Sequence, residues 1–590
     1  MVMNTSTKTT RRLFSKHIVR FFTIIVIIIV SISFIYGILE VESKIKTSMH
    51  RFYEDHQMHD IYIKSKNIMG FTKDEMNYLE DTYDKSQIVK SFCYEMEIDN
   101  KLTRVYSYDL STEINQLELV EGSFPNNSNE IVVERSTKKI KGYDIGDIVK
   151  INNREYTVSG IVFNPLMIII EDEQSFTDEN RPLENVIYFD QTPFMVNDIY
   201  IKLDNIVDEK VYDDNYEQII DNEKEILEMN FNEDNATILS LYENYGFYSL
   251  HSYAEKVSII GYVFIVFFCL ITILVIYSTI SRLMDEERSQ NACLKTLGFT
   301  NYQIMYKYLV FISLAIIIGV FVSCFVGIGF SYIIYFAFEF QYDMPPFPSD
   351  INITLYMLIS LGMLAMNLIL VSIIAYKNVN HNPAYMLRPK APKAGKKVIL
   401  EYIKIIWNHL SFKYKSTFRN VLLFKSRFFM TVVSIMFCTM LVLAGIGILD
   451  CASKVKGADS LGLISLALII FSGVLCALVI YNLTNINVSE RNREIATLMV
   501  LGYKDNEVTG YIYREIYIMS IIGAILGLPC GYVFMEFVFN LIDFGAISDI
   551  NWWSWFIAPI ITMIFSFLST MLLRRRIVKT DMNASLKILE

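Results

Sequence analysis

The sequence predicts an α-helical integral membrane protein with eight transmembrane helices in two four-helix repeats and one mixed α/β extracytoplasmic domain. Three observations carry that prediction. Of the 590 residues 53% are hydrophobic and mean hydropathy is +0.33, above what a soluble chain of this length shows. Charge is divided along the chain: residues 40–252 hold 43 acidic and 20 basic side chains, a balance of −23, and the other 377 residues balance at +13. A short motif also recurs 204 residues downstream of its first copy. A single globular enzyme does not divide this way, and a nucleic-acid binder would show a basic domain.

A helix needs about 20 apolar residues to cross the bilayer core. Eight segments qualify: Phe21–Leu39, Val257–Ser281, Tyr308–Phe338, Ile351–Tyr376, Phe428–Leu449, Ser460–Ser489, Ile516–Ile542 and Asn551–Leu573. The first has basic residues before it, but its apolar stretch is too long for a signal peptide and no small-residue cleavage site follows. It reads as a signal anchor. Residues 1–20 carry five Lys or Arg and no acid, residues 377–427 carry twelve against the single acid Glu401, and the tail from Arg574 carries five against two. The positive-inside rule places these three in the cytoplasm. Both termini are then cytoplasmic, and the stretch 40–256 and the short loops 339–350 and 543–550 lie outside.

The resulting divisions are 1–39, N-terminus and span 1; 40–256, the outer domain with its stalk; 257–376, spans 2 to 4; 377–427, a basic linker; and 428–590, spans 5 to 8 with the tail. The two halves match in detail. Leu294-Lys-Thr-Leu297-Gly298-Phe299 returns as Leu498-Met-Val-Leu501-Gly502-Tyr503, and Glu286 returns as Glu490. Gly319, Ser323 and Gly327 are spaced by four, as are Gly523, Gly527 and Gly531. Small residues so spaced share one helix face and let two backbones approach closely. One such stripe is ordinary bundle packing; its recurrence in both halves points to a shared helix interface. More weakly, Arg20-Phe21-Phe22 resembles Arg427-Phe428-Phe429, and Asn382-Pro383 before Leu387-Arg388 resembles Asp581-Met582 before Leu586-Lys587.

In the outer domain, alternation predicts strands at 60–66, 130–134, 148–151, 155–162, 186–190 and 198–203, with Asn152-Asn153 as a hairpin turn. An acid-rich helix fits 213–229, with Ile219, Ile220 and Ile226 on its apolar side. Residues 40–58 and 242–256 read as helical continuations of spans 1 and 2. His50, His56 and His59 raise a metal site, but beside Glu54, Asp55 and Asp60 they read instead as a solvated stalk surface. The acidic groups at 171–173, 178–179 and 213–214 read as solvated faces. Cys93 is the only cysteine of this domain, so no internal disulfide braces it. No catalytic motif appears, and no cofactor or metal is assigned to the chain.

The cytoplasmic face lacks a phosphate-binding Gly-x-x-x-x-Gly-Lys-Ser/Thr loop, so ATP chemistry would fall to a partner. Residues 285–288 and 490–494 are mixed-charge extensions of spans 2 and 6, each leading to a short helix closed by glycine. Glu286, Arg288, Leu294, Leu297, Gly298 and Phe299 in the first copy, and Glu490, Arg493, Leu498, Leu501, Gly502 and Tyr503 in the second, are the candidate coupling residues. Leu294 with Leu297, and Leu498 with Leu501, are expected to form one apolar face per helix that docks in a protein groove. The linker places Ile403, Ile406, Trp407 and Leu410 on one helix side among lysines, which suits the anionic inner leaflet.

At this point the chain resembles the FtsX/MacB-type permeases of ABC transporters. The resemblance rests on two four-span units, the large outer segment after span 1, and the Glu/Arg-rich loops ending in Leu-Gly-Phe or Leu-Gly-Tyr. The outer stretch Glu121-Gly122-Ser-Phe-Pro125, Asn129-Glu-Ile131, Gly146-Asp147 and Val158-Ser-Gly160-Ile161 is similar to the extracytoplasmic core of that family. The resemblance implies a cytoplasmic ATPase that binds ATP and Mg²⁺ and docks on 293–299 and 497–503, two copies for one chain. It further implies that ATP-driven motion reaches the outer domain, for export or extraction of a peptide-like or amphipathic substrate. The alternative it leaves is a non-transporting regulator of a cell-wall hydrolase or an antibiotic-sensing module. An ion-coupled carrier is disfavoured because Glu536 is the main acid within a span and lacks an evident relay partner.

Overall fold

The computed structural model describes residues 2–67, 69–136, 142–169, 181, 183–206, 210–231, 234–387, 399–402, 404–409, 411–423, 425–455, 458–490, 499–500, 502 and 505–578. The chain forms two compact units. One comprises Met1–Glu40, Ser258–Ile334 and Asn352–Glu590; the other comprises Val41–Val257 and Tyr335–Ile351.

Among the described residues eight helices are long and apolar enough to cross a membrane: Ile18–Asp55, Tyr245–Glu286, Asn301–Glu339, Ile353–Val379, Phe428–Ala452, Asp459–Asn485, Glu507–Ile542 and Ser554–Leu572. Each overlaps one predicted span. The first two run on without a break through the expected stalk segments. At 1.5 Å per residue the 38 residues of Ile18–Asp55 make a rod of about 57 Å.

The small-residue stripes explain how each half packs. A Cβ on Gly319 would lie 2.7 Å from Ile28 Cγ2, and one on Gly327 would lie 2.8 Å from Tyr36 Cδ1. Span 3 therefore presses on span 1. In the second half a Cβ on Gly523 would lie 2.9 Å from Ile435 Cβ, one on Gly527 2.7 Å from Thr439 Cβ, and one on Gly531 2.7 Å from Leu443 Cδ2. Span 7 presses on span 5 in the same way. Ile28 and Ile435 are separated by the interval that relates Arg20 to Arg427, so the faint sequence match between spans 1 and 5 reflects equivalent packing. Ser323 is fully buried and its hydroxyl lies 3.1 Å from Tyr356 Oη.

The seam between the halves is filled with rings. Phe34 stacks on Phe268 at 4.6 Å and meets Phe471 of span 6 at 5.3 Å, Phe330 meets Phe471 at 4.3 Å, and Phe267 meets Phe534 of span 7 at 4.5 Å. Asn482 donates to Thr279 across the same seam at 3.0 Å. At the outer ends, Glu40 accepts from the Asn352 backbone N–H at 3.0 Å, and Asp450 accepts from that of Asn551 at 3.0 Å. A carboxylate of the first helix thus holds the start of the fourth helix in both halves.

The outer unit is built on a ten-stranded mixed sheet of β1 (Ile61–Ser65), β2 (Ile88–Ile98), β3 (Lys101–Tyr108), β4 (Glu118–Gly122), β5 (Glu130–Glu134), β6 (Ile148–Ile151), β7 (Arg154–Phe163), β8 (Asn185–Asp190), β9 (Asp198–Ile201) and β10 (Ala236–Ser240). The order is β10-β1-β9-β2-β3-β8-β5-β7-β4, with β6 paired to β7; β3–β8 and β5–β7 run parallel. Alternation buries both faces: Val132, Val186 and Tyr188 join one core, while Ile131, Val133, Ile187 and Phe189 join the other. Asn152 and Asn153 both adopt positive φ (49° and 64°), which a two-residue type I′ hairpin requires. Asp99 and Asn100 make the same turn between β2 and β3, at 51° and 62°. Glu95 and Arg104 stand opposite each other on those strands and form a buried ion pair at 3.0 Å.

Two expectations for this region change and a third gains detail. The acid-rich helix, Asp214–Asn230, buries Tyr216, Ile220 and Leu227, and Ile226 is exposed; the aromatic Tyr216 sets the inward face. His59 and Asp60 are buried, and the helix ends at Asp55, so His56 and His59 share no helix face, and of the acids only Glu54 and Asp55 are exposed. The loop 339–350, expected outside, lies in a longer segment, 335–351, that belongs to the outer unit. Asp343 pairs with Arg135, Tyr342 bridges to Ile169, Asp350 pairs with Arg51, and Lys44 donates to Pro348 O at 2.7 Å. The acidic groups at 171–173 and 178–179 lie outside the described residues.

Candidate functional site

The candidate coupling region lies where the second span ends. Helix Tyr245–Glu286 passes through Glu287 into the short helix Arg288–Thr296. A Schellman motif closes that helix. Phe299 N–H donates to Leu294 O and Gly298 N–H to Lys295 O, both at 3.1 Å, with Gly298 at φ +90°. Positive φ is why a glycine ends this helix. The second copy repeats the device: Gly502 has φ +91° and its N–H donates to Met499 O at 3.0 Å.

The two leucines do not form one docking face. Leu294 is buried and joins the core of the first half, where Phe299 packs beside it, whereas Leu297, at the C-cap, is 75% exposed. The Schellman geometry draws Leu294 and Phe299 together inside the protein and leaves Leu297 outside. The exposed apolar edge instead runs from Leu297 to Tyr302 and Tyr306 at the start of the third long helix. In the second copy, Arg493, Leu498, Leu501 and Tyr503 and the side chain of Glu490 lie outside the described residues.

Glu286 and Arg288 are engaged within the chain. Arg20, at the base of span 1, donates through both terminal nitrogens to Glu286, at 3.0 and 2.6 Å. Lys16 pairs with Glu287 at 2.7 Å, and His17 Nε2 lies 3.6 Å from the same carboxylate. Neighbouring His17 and Lys16 hold the buried Glu287 carboxyl down to about 2. Arg288 donates to Tyr385 O at 2.6 Å and covers the Tyr385 ring at 4.8 Å. Lys295 donates to Val379 O and His381 O, both at 2.8 Å, closing the C-terminal end of span 4. The candidate coupling segment is thus fastened to spans 1 and 4. Sequence reasoning did not assign Lys16, His17, Glu287 or Lys295; the spacing of four between Asn291, which donates to Tyr308 Oη at 2.8 Å, and Lys295 was the available signal.

The outer end of the same helices carries a second junction, inside the outer unit. Val211 N–H donates to His50 Nδ1 at 3.3 Å. Tyr212, at φ +76°, lies between Phe247 at 4.2 Å and His251 at 4.6 Å. One histidine from each stalk helix therefore grips the turn 211–212, and a bulky residue is held in a conformation that costs energy. His59 Nδ1 lies 3.0 Å from Asn115 Oδ1, and burial lowers this imidazole to about 4. Burial also lowers His251. The described residues contain no group of three or more metal-ligating side chains.

The family model for the FtsX-like permease C-terminal domain matches residues 262–383 and again 466–582. The chain carries two FtsX-like permease domains. The two matches begin 204 residues apart and end 199 apart, the intervals that separate the repeated motifs. In the permease each match runs from the second helix of a half to the region after its fourth and includes the coupling segment. Two solved structures resemble the outer domain. The periplasmic region of MacB from Actinobacillus actinomycetemcomitans shares 14% identity over 34% of this chain and 95% of its own, with a TM-score of 0.21. The extracellular domain of the noncanonic ABC-type transporter YknZ from Gram-positive bacteria shares 14% over 31% and 99%, with a TM-score of 0.18. No curated protein matches the sequence. The permease is a multi-pass plasma-membrane protein with an extracytoplasmic domain, the transmembrane subunit of an ABC transporter, and permeases of this family work with a cytoplasmic ABC ATPase.

Proposed function

We propose that the permease transmits ATP-driven motion of a separate cytoplasmic ATPase to the 40–256 domain, for export or extraction of a peptide-like or amphipathic substrate. The observation that carries this reading is the unbroken helix Ile18–Asp55. Its inner end holds the coupling segment through Arg20 and Glu286, and its outer part holds the head through His50. The helix is a continuous stretch of chain that leads from the coupling segment into the outer unit. The ring-filled seam between the halves also favours movement of helices over passage of a solute between them. One ATPase copy would dock on each coupling segment, two per chain, with ATP and Mg²⁺ held in those subunits.

The test is co-purification of the co-expressed ATPase with a Leu297→Asp, Leu501→Asp permease. Leu297 is exposed, so the variant should insert and remain monodisperse while ATPase recovery falls at least tenfold, the scale expected for losing an interface anchor. Undiminished recovery removes the docking assignment.

A further inference from the structure

The outer domain carries a cleft that the coupling mechanism does not use. Phe92, Ser107 and Phe189 form one row across β2, β3 and β8. The β6–β7 hairpin covers the sheet beside this row, where Tyr156 meets Phe189 edge-on at 4.9 Å. Residues 191–195 form the opposite wall, and Phe194 there is 103% exposed. The space is about 770 Å³, enough for a small organic ligand.

Its charge is the opposite of its surroundings. The domain has 43 acids in residues 40–252, yet among the described residues no carboxylate lines the cleft and Arg154 is its one charged side chain. The neighbouring acid, Glu155, points away and pairs with Lys150 across the hairpin at 3.0 Å. Five rings, from Phe92, Tyr94, Tyr156, Phe189 and Phe194, supply apolar surface, and Asn152 and Gln191 supply uncharged polar groups. A cationic peptide would be drawn to the domain as a whole and would meet Arg154 here. A ligand with several negative charges would be repelled at long range by the −23 balance. One negative charge on an apolar body satisfies both conditions, and a guanidinium matches a carboxylate with two parallel hydrogen bonds.

We propose that this cleft binds a small amphiphilic carboxylate, an aromatic or short acyl body with a single negative charge. The proposal deepens the export reading by naming its substrate class, and rests on that reading only for what happens after binding.

The experiment photolabels the full-length permease in lipid nanodiscs with 4-benzoylbenzoate, with its neutral amide as control, and maps the modified peptides by mass spectrometry. Arg154 and Phe194 are exposed, so Arg154→Gln and Phe194→Ser leave the fold intact. Saturable labelling within 92–107, 151–156 and 189–195 is expected for the acid. Arg154→Gln should raise the half-saturating concentration of the acid at least tenfold, the scale of a lost charge-assisted pair, and leave the amide unchanged. Phe194→Ser should weaken both probes. Labelling spread over the spans, equal labelling by acid and amide, or an unaltered Arg154→Gln response would overturn the proposal. So would preferential labelling of the cleft by a cationic benzophenone-bearing peptide. Because no ATPase is present, a labelled cleft in a permease that exports no such compound would defeat the export reading and leave the binding site standing.

Discussion

Spans 3 and 7 each press a stripe of small residues against the first helix of their half, and they differ at the middle position. Gly527 has nothing beyond its backbone, and a Cβ there would meet Thr439 Cβ at 2.7 Å and the Met436 carbonyl at 3.0 Å. Ser323 carries a hydroxyl that accompanies Tyr356 of span 4. In the second half the stripe carries no hydroxyl of its own, and the residue it presses on, Thr439 of span 5, donates to Thr562 of span 8 at 3.2 Å. The half with the large outer domain therefore ties span 3 to span 4 by a hydrogen bond at the stripe itself, while in the other half span 7 reaches span 8 from outside its stripe, through Ser520 and Ser566 at 2.8 Å and Tyr517 and Thr570 at 2.9 Å. Close apolar contact resists separation but guides orientation poorly, and a hydrogen bond does the reverse.

The largest test of this contrast is Gly527→Val against Gly319→Val. At Gly527 a backbone carbonyl blocks the new methyls and cannot move aside, so the cost should be about 3 kcal/mol; at Gly319 the obstacle is the Ile28 side chain, and about half that is expected. Unfolding midpoints of the two variants in detergent measure the difference, and equal losses would show that the stripes are interchangeable.

The second test uses pH and separates the outer junction of the first half from everything in the second. His59 titrates near 4 when folded and near its ordinary 6.5 when exposed, so the folded form binds fewer protons between those values. Its contribution is present above pH 6.5 and is lost as pH falls toward 4, about 2 kcal/mol by pH 5. Hydrogen exchange at pH 7 and 5, corrected for intrinsic rates, should show peptides 50–60, 210–216 and 245–253 losing protection while the second-half spans keep theirs. His59→Gln should flatten the response. The smallest effect expected is Ser323→Ala, at about 1 kcal/mol or less. A larger loss than at Gly319 would make the hydroxyl, and not the close approach, the main tie in the first half.

The membrane architecture was legible because it follows from length, hydropathy and repetition, which the bilayer enforces directly. The glycines at 298 and 502 were legible because only a left-handed cap needs them there. Strands β2 and β3 were overlooked although Asp99-Asn100 is a type I′ turn signal. Their alternation is blurred by Glu95 and Arg104, charges that are buried only because they face each other across the ladder. The orientation of the candidate coupling leucines was missed: helical spacing put Leu294 and Leu297 together, and the cap geometry sends them opposite ways. The clasp at His50 and His251 joins residues some 200 positions apart, and no local pattern encodes such a pairing.

The allegiance of residues 335–351 has a practical consequence for exchanging parts between relatives. A graft that replaced only 41–257 would remove Arg135, Arg51 and Lys44 and leave Asp343, Asp350 and the carbonyl of Pro348 without the cations they were shaped to meet. The unit that can be transplanted is two pieces of chain, and a chimera that carries both should be the one that folds.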